Sequence, residues 1–444
     1  MQALNSLLFR PVPHKMRNGI LTHLSLVCAL PLLVTLSTPS ITLGNQANWP
    51  QWRGPLGNGV APEGNPPTRW SETQNVQWKV KVPGFGSGTP IVWGDQVFLL
   101  TALAKYASPD AQRKDHQFVV LSIERNSGKT LWQQTARELI PHEGHHRDHG
   151  FASASALTDG EHLLAYFGSR GLYCYDLTGN LKWSRDFGDM RTRNGFGEGS
   201  TPALHGDTVV VNWDHEGPDF VVALNKDTGE EIWRQSRDEP TSWATPLIVE
   251  HDGKAQVVVN GTKAVRSYDL KTGTLIWECG GQTVNVIPSP VTGHGMVYAM
   301  SGFRGAALKA IQLGHTGDLT DAPGLAWSHD RNTPYVPSPL LYGQLLYFHK
   351  GNNAMLSCVD AKTGKAYFEE KRLDGPNGIY ASPVGAAGRV YVVGRDGTSL
   401  VLRNDGKGQV LAMNKLEDRI DASPAIVGGQ LFLRGHEHLY CIAE

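Results

Sequence analysis

Short apolar runs alternate with polar turns along this chain, and one arrangement keeps returning. Val222–Trp233 (VALNKDTGEEIW) is its clearest instance: an apolar run ends in Asn225, Thr228-Gly229 follow, and Trp233 comes four residues after the glycine. The pattern predicts strand, tight turn, strand. Glycine supplies the positive φ that such a turn needs, and the tryptophan opens the next strand with a large apolar face. The arrangement recurs at Glu124–Trp132, Asp269–Trp277 and Asp360–Phe368, one residue shorter at Asp176–Trp183, and stretched between Gln312 and Trp327.

A second element lies between these copies: a Ser/Thr-Pro dipeptide, a few apolar residues, a Gly-containing turn and an apolar strand. It stands at Thr89-Pro90, Thr201-Pro202, Thr245-Pro246, Ser289-Pro290, Ser338-Pro339, Ser382-Pro383 and Ser423-Pro424, with Ser155-Ala156 in the remaining place. From position 90 the intervals are 66, 46, 44, 44, 49, 44 and 41 residues. A period near 44 with four strands per unit predicts an all-β fold, an eight-bladed β-propeller of four-stranded antiparallel blades. The eighth unit stops at Glu444 after three strands, while Asn75–Val80 is a spare strand before the first unit. Pairing the two would close the ring and remove its open edges. Unit seven departs from the rule. Its last strand, QVLAMN, carries no aromatic, and its interface is expected to be the weakest.

Residues 75–444 therefore form the propeller, and 45–74 a Pro/Gly-rich N-terminal segment. Residues 1–44 read as a secretory signal peptide: Lys15 and Arg17 precede the apolar run Ile20–Leu36, with Thr42 and Gly44 placed for cleavage. His23, Ser25 and Pro31 make that run a poor spanning helix, so no transmembrane span is expected in the mature chain. Met16 is an alternative start, and Cys28 lacks the surroundings of a lipid-modified cysteine.

The chain's 50 glycines and 26 prolines fit many turns. A net charge of −1 gives no global bias toward nucleic acid or anionic membranes. Cys174, Cys358 and Cys441 occupy one repeat position, where other units place Ser or Ala, which marks a slot for a small buried side chain. Without CxxC, CxxCH or an adjacent pair, zinc-ribbon, c-type haem and thioredoxin chemistry are excluded.

The form A-x-D-x-x-T-G-x-x-x-W resembles the tryptophan-docking motif of the pyrroloquinoline quinone (PQQ) repeat propellers, and VALNKDTGEEIW and RSYDLKTGTLIW are close to it. The likeness runs over roughly residues 49–444, and WPQWRGP at its start resembles a secreted branch of that group. The resemblance implies a bacterial envelope protein, periplasmic or extracellular. Its relatives divide between quinoprotein dehydrogenases and the BamB-like assembly propeller, which is not an enzyme, and a shared fold does not choose between them. The dehydrogenase reading implies PQQ with a metal. Many such enzymes carry an adjacent Cys-Cys pair that is missing here, and their metal ligands and catalytic Asp find no matching local motif. The expectation is a binding or scaffold module of the cell envelope without enzymatic activity; the alternative is a PQQ- and metal-dependent oxidoreductase.

His142–His146 (HEGHH) matches HExxH, with His149 nearby. Zinc hydrolysis needs that spacing on a helix, whereas here Pro141 and Gly144 interrupt a connection between β blades, so a solvated His-rich loop is the simpler reading. Gly195–Gly199 (GFGEG) precedes no helix and is read as close packing rather than a phosphate loop. Asp214, His215 and Glu216 in the Trp213–Asp219 insertion are a further possible metal trio, or simply solvated.

The insertions Ala102–His116 and Trp213–Asp219 join second to third strands, and the His142–His149 loop joins two blades, so all three fall on one face. Clustered insertions mark a binding face. In repeat register the second-to-third-strand turns carry Arg170, Lys263, Arg304, Lys350, Arg395 and Arg434, and the residues before the dipeptides include Glu198, Trp243, Tyr335, Tyr380 and Asp421. Common surface lysine and arginine account for the first set equally well. Read functionally, a positive field surrounds an aromatic mouth, suited to an anionic or polyhydroxylated small molecule or to an acidic loop of an envelope partner.

Overall fold

The computed structural model describes residues 47–105 and 115–444. The segment expected to be a signal peptide, with Cys28, and most of the first insertion lie outside them. Eight antiparallel sheets of four strands follow one another along the chain. Blade three shows the plan: Ala203–His205, Thr208–Trp213, Phe220–Asn225 and Glu231–Ser236. Its middle strands are apolar and almost wholly buried, while the outer strand alternates around Trp233. A strand with both faces covered by neighbouring blades needs the first pattern; an outermost strand needs the second.

The ring closes as the repeat predicts. Val76–Lys81 pairs antiparallel with His438–Ile442, with Trp78 opposite Cys441. Two blades gain a fifth strand. Gly317–Asp318, from the stretched turn of blade five, lies parallel to the outer strand of blade four, and Val60–Ala61 lies parallel to Val384–Ala386 of blade seven.

At five seams the turn glycine, Gly128, Gly179, Gly229, Gly273 or Gly364, seats the tryptophan of the preceding blade. Gly229 has φ +69°, and a Cβ there would come within 2.5 Å of the Trp183 ring; Gly273, at φ +74°, stands in the same relation to Trp233 at 2.6 Å. The indole N–H donates across the seam, from Trp183 to the Lys226 carbonyl at 2.7 Å and from Trp233 to Leu270 at 2.8 Å. Glycine thus serves both the turn's dihedral and the close approach of a ring.

Nearer the axis, the Ser/Thr-Pro dipeptides link the blades a second time. The backbone N–H of Thr89 donates to the Ser155 hydroxyl. Ser155 donates to Thr201, and the series continues through Thr245, Ser289, Ser338, Ser382 and Ser423 at 2.8–3.1 Å. The series starts and ends at the closing seam, where the buried Thr89 hydroxyl has no partner among the described residues. There Arg434 of blade eight, fully buried, donates to the Gly88 carbonyl at 3.3 Å.

The N-terminal segment is a structural part of the ring. Trp49 bridges to Val92 of blade one, and the Thr158 N–H of blade two donates to Pro50. Arg53 donates to the Pro339 and Pro383 carbonyls of blades six and seven at 2.8 and 3.1 Å. Beyond the strand at Val60–Ala61, Trp70 stacks on Tyr391, ring centroids 6.4 Å apart. Tyr391, Val401 and Ala412 form one cross-strand row of blade seven. Ala412 stands where other blades carry the aromatic, so Trp70 supplies from the N-terminal segment what that strand lacks. Asn414 holds it there through the Trp70 N–H and the Thr68 carbonyl.

Candidate ligand-binding site

A cavity of about 370 Å³ opens on the loop-rich face at the centre of the ring. Ser155, Thr201, Thr245, Ser382 and Ser423 line it, so the hydroxyls that link the blades also face the channel. Its aromatic wall includes Phe196, Trp243, Phe303, Tyr335 and Tyr380, and Phe303 stacks on Tyr335 at 4.7 Å. Trp52 lines both this cavity and a second one of about 210 Å³ beside the first strands of blades three and four. The WPQWRGP segment therefore divides the central channel, and Trp52 forms the floor of the upper compartment. Burial pushes the Arg53 guanidinium beneath it down to about 9, still charged at neutral pH.

Four of the residues singled out before the dipeptides meet here: Trp243, Tyr335, Tyr380 and Asp421 all line the cavity. The Trp243 indole donates to the Gly197 carbonyl at 2.7 Å. A Cβ at Gly197 would come within 2.8 Å of the His149 ring, so the GFGEG run packs closely against the histidine loop. Glu198 does not reach this cavity. It accepts from Arg170 at 2.7 Å, from the Ser169 N–H at 2.6 Å and from the Ser169 hydroxyl at 2.7 Å, and both charged side chains are buried.

The six turn cations are dispersed by their partners. Arg170 belongs to the Glu198 pair, with Phe151 5.1 Å from its guanidinium, and Arg434 is sealed in the closing seam. Lys263 and Lys350 are exposed and paired with Asp238 and Glu370 at 2.8 and 2.7 Å. Arg304 is exposed above the Phe303 ring, at φ +51°. Arg395 lies over Tyr380 at 3.6 Å and is held by Asp421 at 2.6 Å and Asp148 at 3.1 Å.

The metal candidates find hydrogen-bond partners instead. His142 contacts the Met190 carbonyl at 2.7 Å, and Glu143, the glutamate of HExxH, accepts from Thr192. The stretch is not helical. His146 and His149 line the cavity. Both His149 nitrogens are engaged, by the Glu198 carbonyl at 3.0 Å and Ser153 Oγ at 2.9 Å, and burial holds its imidazole down at about 4. His215 is likewise engaged at both nitrogens, and Glu216 accepts from the Thr241 hydroxyl at 2.9 Å. Asp214 forms a fully buried pair with Arg237 at 2.6 Å. Solvation is thus the wrong description of Asp214 and His215, because the insertion folds back and buries them. Among the described residues no three His, Cys, Asp or Glu are grouped to hold a metal.

Cys174, Cys279, Cys358 and Cys441 are free and buried, and desolvation pushes three of these thiols, Cys174, Cys358 and Cys441, up to about 12. Such thiols are inert packing groups. Two contributors were not legible as site residues: Trp52, which precedes the repeat, and Asp148, one carboxylate in a histidine-rich loop. The only signal for the first was its aromatic, proline-rich setting.

Fold and site together define a closed propeller of PQQ-type repeats with a blind, aromatic-lined channel. The chain belongs to the family described as outer membrane protein assembly factor BamB, which it matches over residues 116–211 and 178–366. Among solved structures it is similar to BamB from Moraxella catarrhalis, at 15% identity and TM-score 0.57 over 82% of this chain and 98% of that one. It is also similar to the quinohemoprotein alcohol dehydrogenase from Comamonas testosteroni, at 10% identity and TM-score 0.59 over 89% and 80%. The computationally designed Ika8 protein matches at 13% identity and TM-score 0.52 over 82% and 100%. No curated protein matches. These similarities concern the fold.

The described residues around the cavity do not fit PQQ with a metal. The quinone is a tricarboxylate and needs several cations or donors free to face it, with an oxygen-rich metal seat alongside. The arginines nearest the cavity, Arg395 and Arg419, are already held by Asp148 and Asp421. The carboxylates within reach are spent on arginines, and no metal-sized grouping stands beside them among the described residues.

Proposed function

We propose that this protein is a non-enzymatic binding module of the bacterial cell envelope, exported by its N-terminal segment, and that the funnel above Trp52 seats a small organic ligand. The observation that carries this reading is the blind cavity itself: an aromatic wall, a partial ring of hydroxyls, and a floor built from a segment outside the repeat. Concave apolar sites with a few convergent polar groups are where small molecules bind. Flat rings and the apolar faces of sugars stack on Trp and Tyr, while Ser and Thr hydroxyls donate to ligand oxygens. Exposed cations at Lys263, Arg304 and Lys350 ring the outer rim, where they steer more than they bind.

Family membership supports the envelope setting, and the mismatch with PQQ and metal favours binding over oxidoreduction. The test is calorimetric titration of the full chain with neutral sugars and small aromatic compounds, beside a dye-linked oxidation assay after adding PQQ and calcium. The expected result is saturable heat with at least one probe class, lost in Trp243→Ala, and no dye reduction. Turnover of an alcohol or sugar would overturn the non-enzymatic reading. Absence of binding by every probe would overturn the ligand seat.

A further inference from the structure

The charged wall of the funnel is built in an unusual way. Asp148 sits on the connection between blades one and two, yet its partners come from the other side of blade eight. Arg395 of blade seven lies 3.1 Å away, Arg419 of the next connection 2.8 Å, and the Tyr380 hydroxyl 3.5 Å. Exposed Arg147 is a more distant neighbour at 3.9 Å. The rest of the connection is fastened on its own side, His142 to Met190, Glu143 to Thr192, the His146 N–H to Phe196 and His149 to Glu198. None of these bonds needs the carboxylate of Asp148.

Asp421 is held independently, by Arg395 at 2.6 Å, Arg419 at 3.2 Å and His436 at 3.0 Å. Two arginines therefore face two aspartates. Removing Asp148 from its place leaves Asp421 to offset only one of them. Asp148, Tyr380 and Asp421 line the funnel, whereas the arginines hold them from outside the lining. A pair of guanidinium forks with a phenol hydroxyl is a recognition set for a planar carboxylate.

We infer that Arg395, Arg419 and Tyr380 form a carboxylate seat of the funnel, filled in this conformation by the chain's own Asp148, and that a small ring-bearing monocarboxylate takes its place. This rests on the funnel being a ligand seat. The exchange is neutral in charge, one carboxylate leaving as another arrives, so no ion is left unpaired in the wall. The ligand's ring would lie against the aromatic wall at Trp243 and the Phe303–Tyr335 stack. One seat accommodates one carboxylate, against the three of the quinone. Asp148 then acts as a tethered competitor, present at an effective concentration in the millimolar range or above, and sets a threshold for binding.

The experiment compares the full chain with Asp148→Asn by calorimetry at low salt. The probes are 4-hydroxybenzoate and glucuronate, each beside its uncharged counterpart, 4-hydroxybenzamide and glucose. The expected result is at least about tenfold tighter binding of one carboxylate in Asp148→Asn, no change for its neutral counterpart, and loss of the gain when Arg419→Gln is added. The benzoate and glucuronate arms separate an aromatic from a sugar scaffold. Asp148→Ser is the second variant should the amide disturb folding. Equal carboxylate affinity in wild type and variant overturns the seat, as does an equal gain for the neutral probes, which would mean simple opening of the loop. Binding of neutral probes without a carboxylate gain overturns this inference alone. No binding of any probe to either protein overturns the funnel reading and this inference with it.

Discussion

Blades three and four meet differently from blades seven, eight and one. The first seam is made chiefly by the repeat: Trp233 lies on Gly273, its N–H reaches the Leu270 carbonyl, and the Thr201 N–H bonds the Thr245 hydroxyl. The seams around blade eight are assembled from distant sequence. Trp70 fills the place left by Ala412, Val76–Lys81 completes the sheet, and Arg125 of blade one donates to Gln430 at 2.5 Å and to the Val427 carbonyl at 3.3 Å. A regular seam needs only local rules. A closing seam must bring the two ends of the chain together, and the N-terminal segment that does so also crosses the channel. Closure and the pocket floor are therefore one construction.

The largest effect is expected from removing that construction. Deleting Leu439–Glu444 strips four fully buried residues and leaves Val76–Lys81 without its partner. The loss should be on the order of the whole stability of a domain, about 10 kcal/mol, seen as aggregation or the absence of a cooperative melt. A deletion variant that melts with the full chain would contradict the closure.

Next, Trp70→Ala and Trp233→Ala should cost similar amounts, about 3–5 kcal/mol each, because both remove a buried indole from a seam. Urea unfolding compares them directly. A cost below about 1 kcal/mol for Trp70→Ala would make the N-terminal segment an ornament of blade seven rather than part of its seam.

Two glycines sharpen the contrast further. Gly273→Ala meets both a φ of +74° and the Trp233 ring at 2.6 Å, so it should cost about 2–3 kcal/mol. Gly406→Ala in blade seven has a similar φ, +71°, but its Cβ meets the exposed Tyr367 at 3.1 Å and Leu345 at an ordinary 3.6 Å, so about 1 kcal/mol is expected. Equal costs would show that the dihedral, not the seated ring, selects glycine.

A pH-dependent effect of similar small size concerns two histidines held down at about 4 by burial, His149 in the connection between blades one and two and His349 in regular blade six. Their unfolded value is near 6.5. Between pH 6.5 and 4 the unfolded chain therefore binds protons that the native chain does not, and stability falls as the pH falls through that window. Each site should contribute roughly 1–2 kcal/mol to the drop. His149→Asn and His349→Asn should each flatten the melting temperature measured between pH 7 and 4.5. If only His349→Asn does so, the connection between blades one and two opens before the blades do.

Much of this molecule was legible before any coordinates. Gly229 and Trp233 announce a turn and a docking strand because both act over a few residues, and the same local rule repeated around the chain fixes blade number and ring closure. Trp243, Tyr335, Tyr380 and Asp421 could be placed at the mouth because repeat register maps position in sequence onto position around the axis. Register gives the radius and height of a residue but not its partner. Arg170 and Arg395 hold equivalent places in the repeat, yet one is buried against Glu198 and the other shares two aspartates, since each answer depends on carboxylates from other segments. Trp52 and Asp148 lay beyond the repeat's reach altogether: one arrives from a segment outside the period, the other crosses blade eight on a loop of no regular structure. What the sequence by itself determined is the scaffold, because hydrophobic alternation and turn chemistry are local. What only the tertiary structure decided is the floor and the charged wall of the pocket, because long-range contacts choose which polar groups find each other.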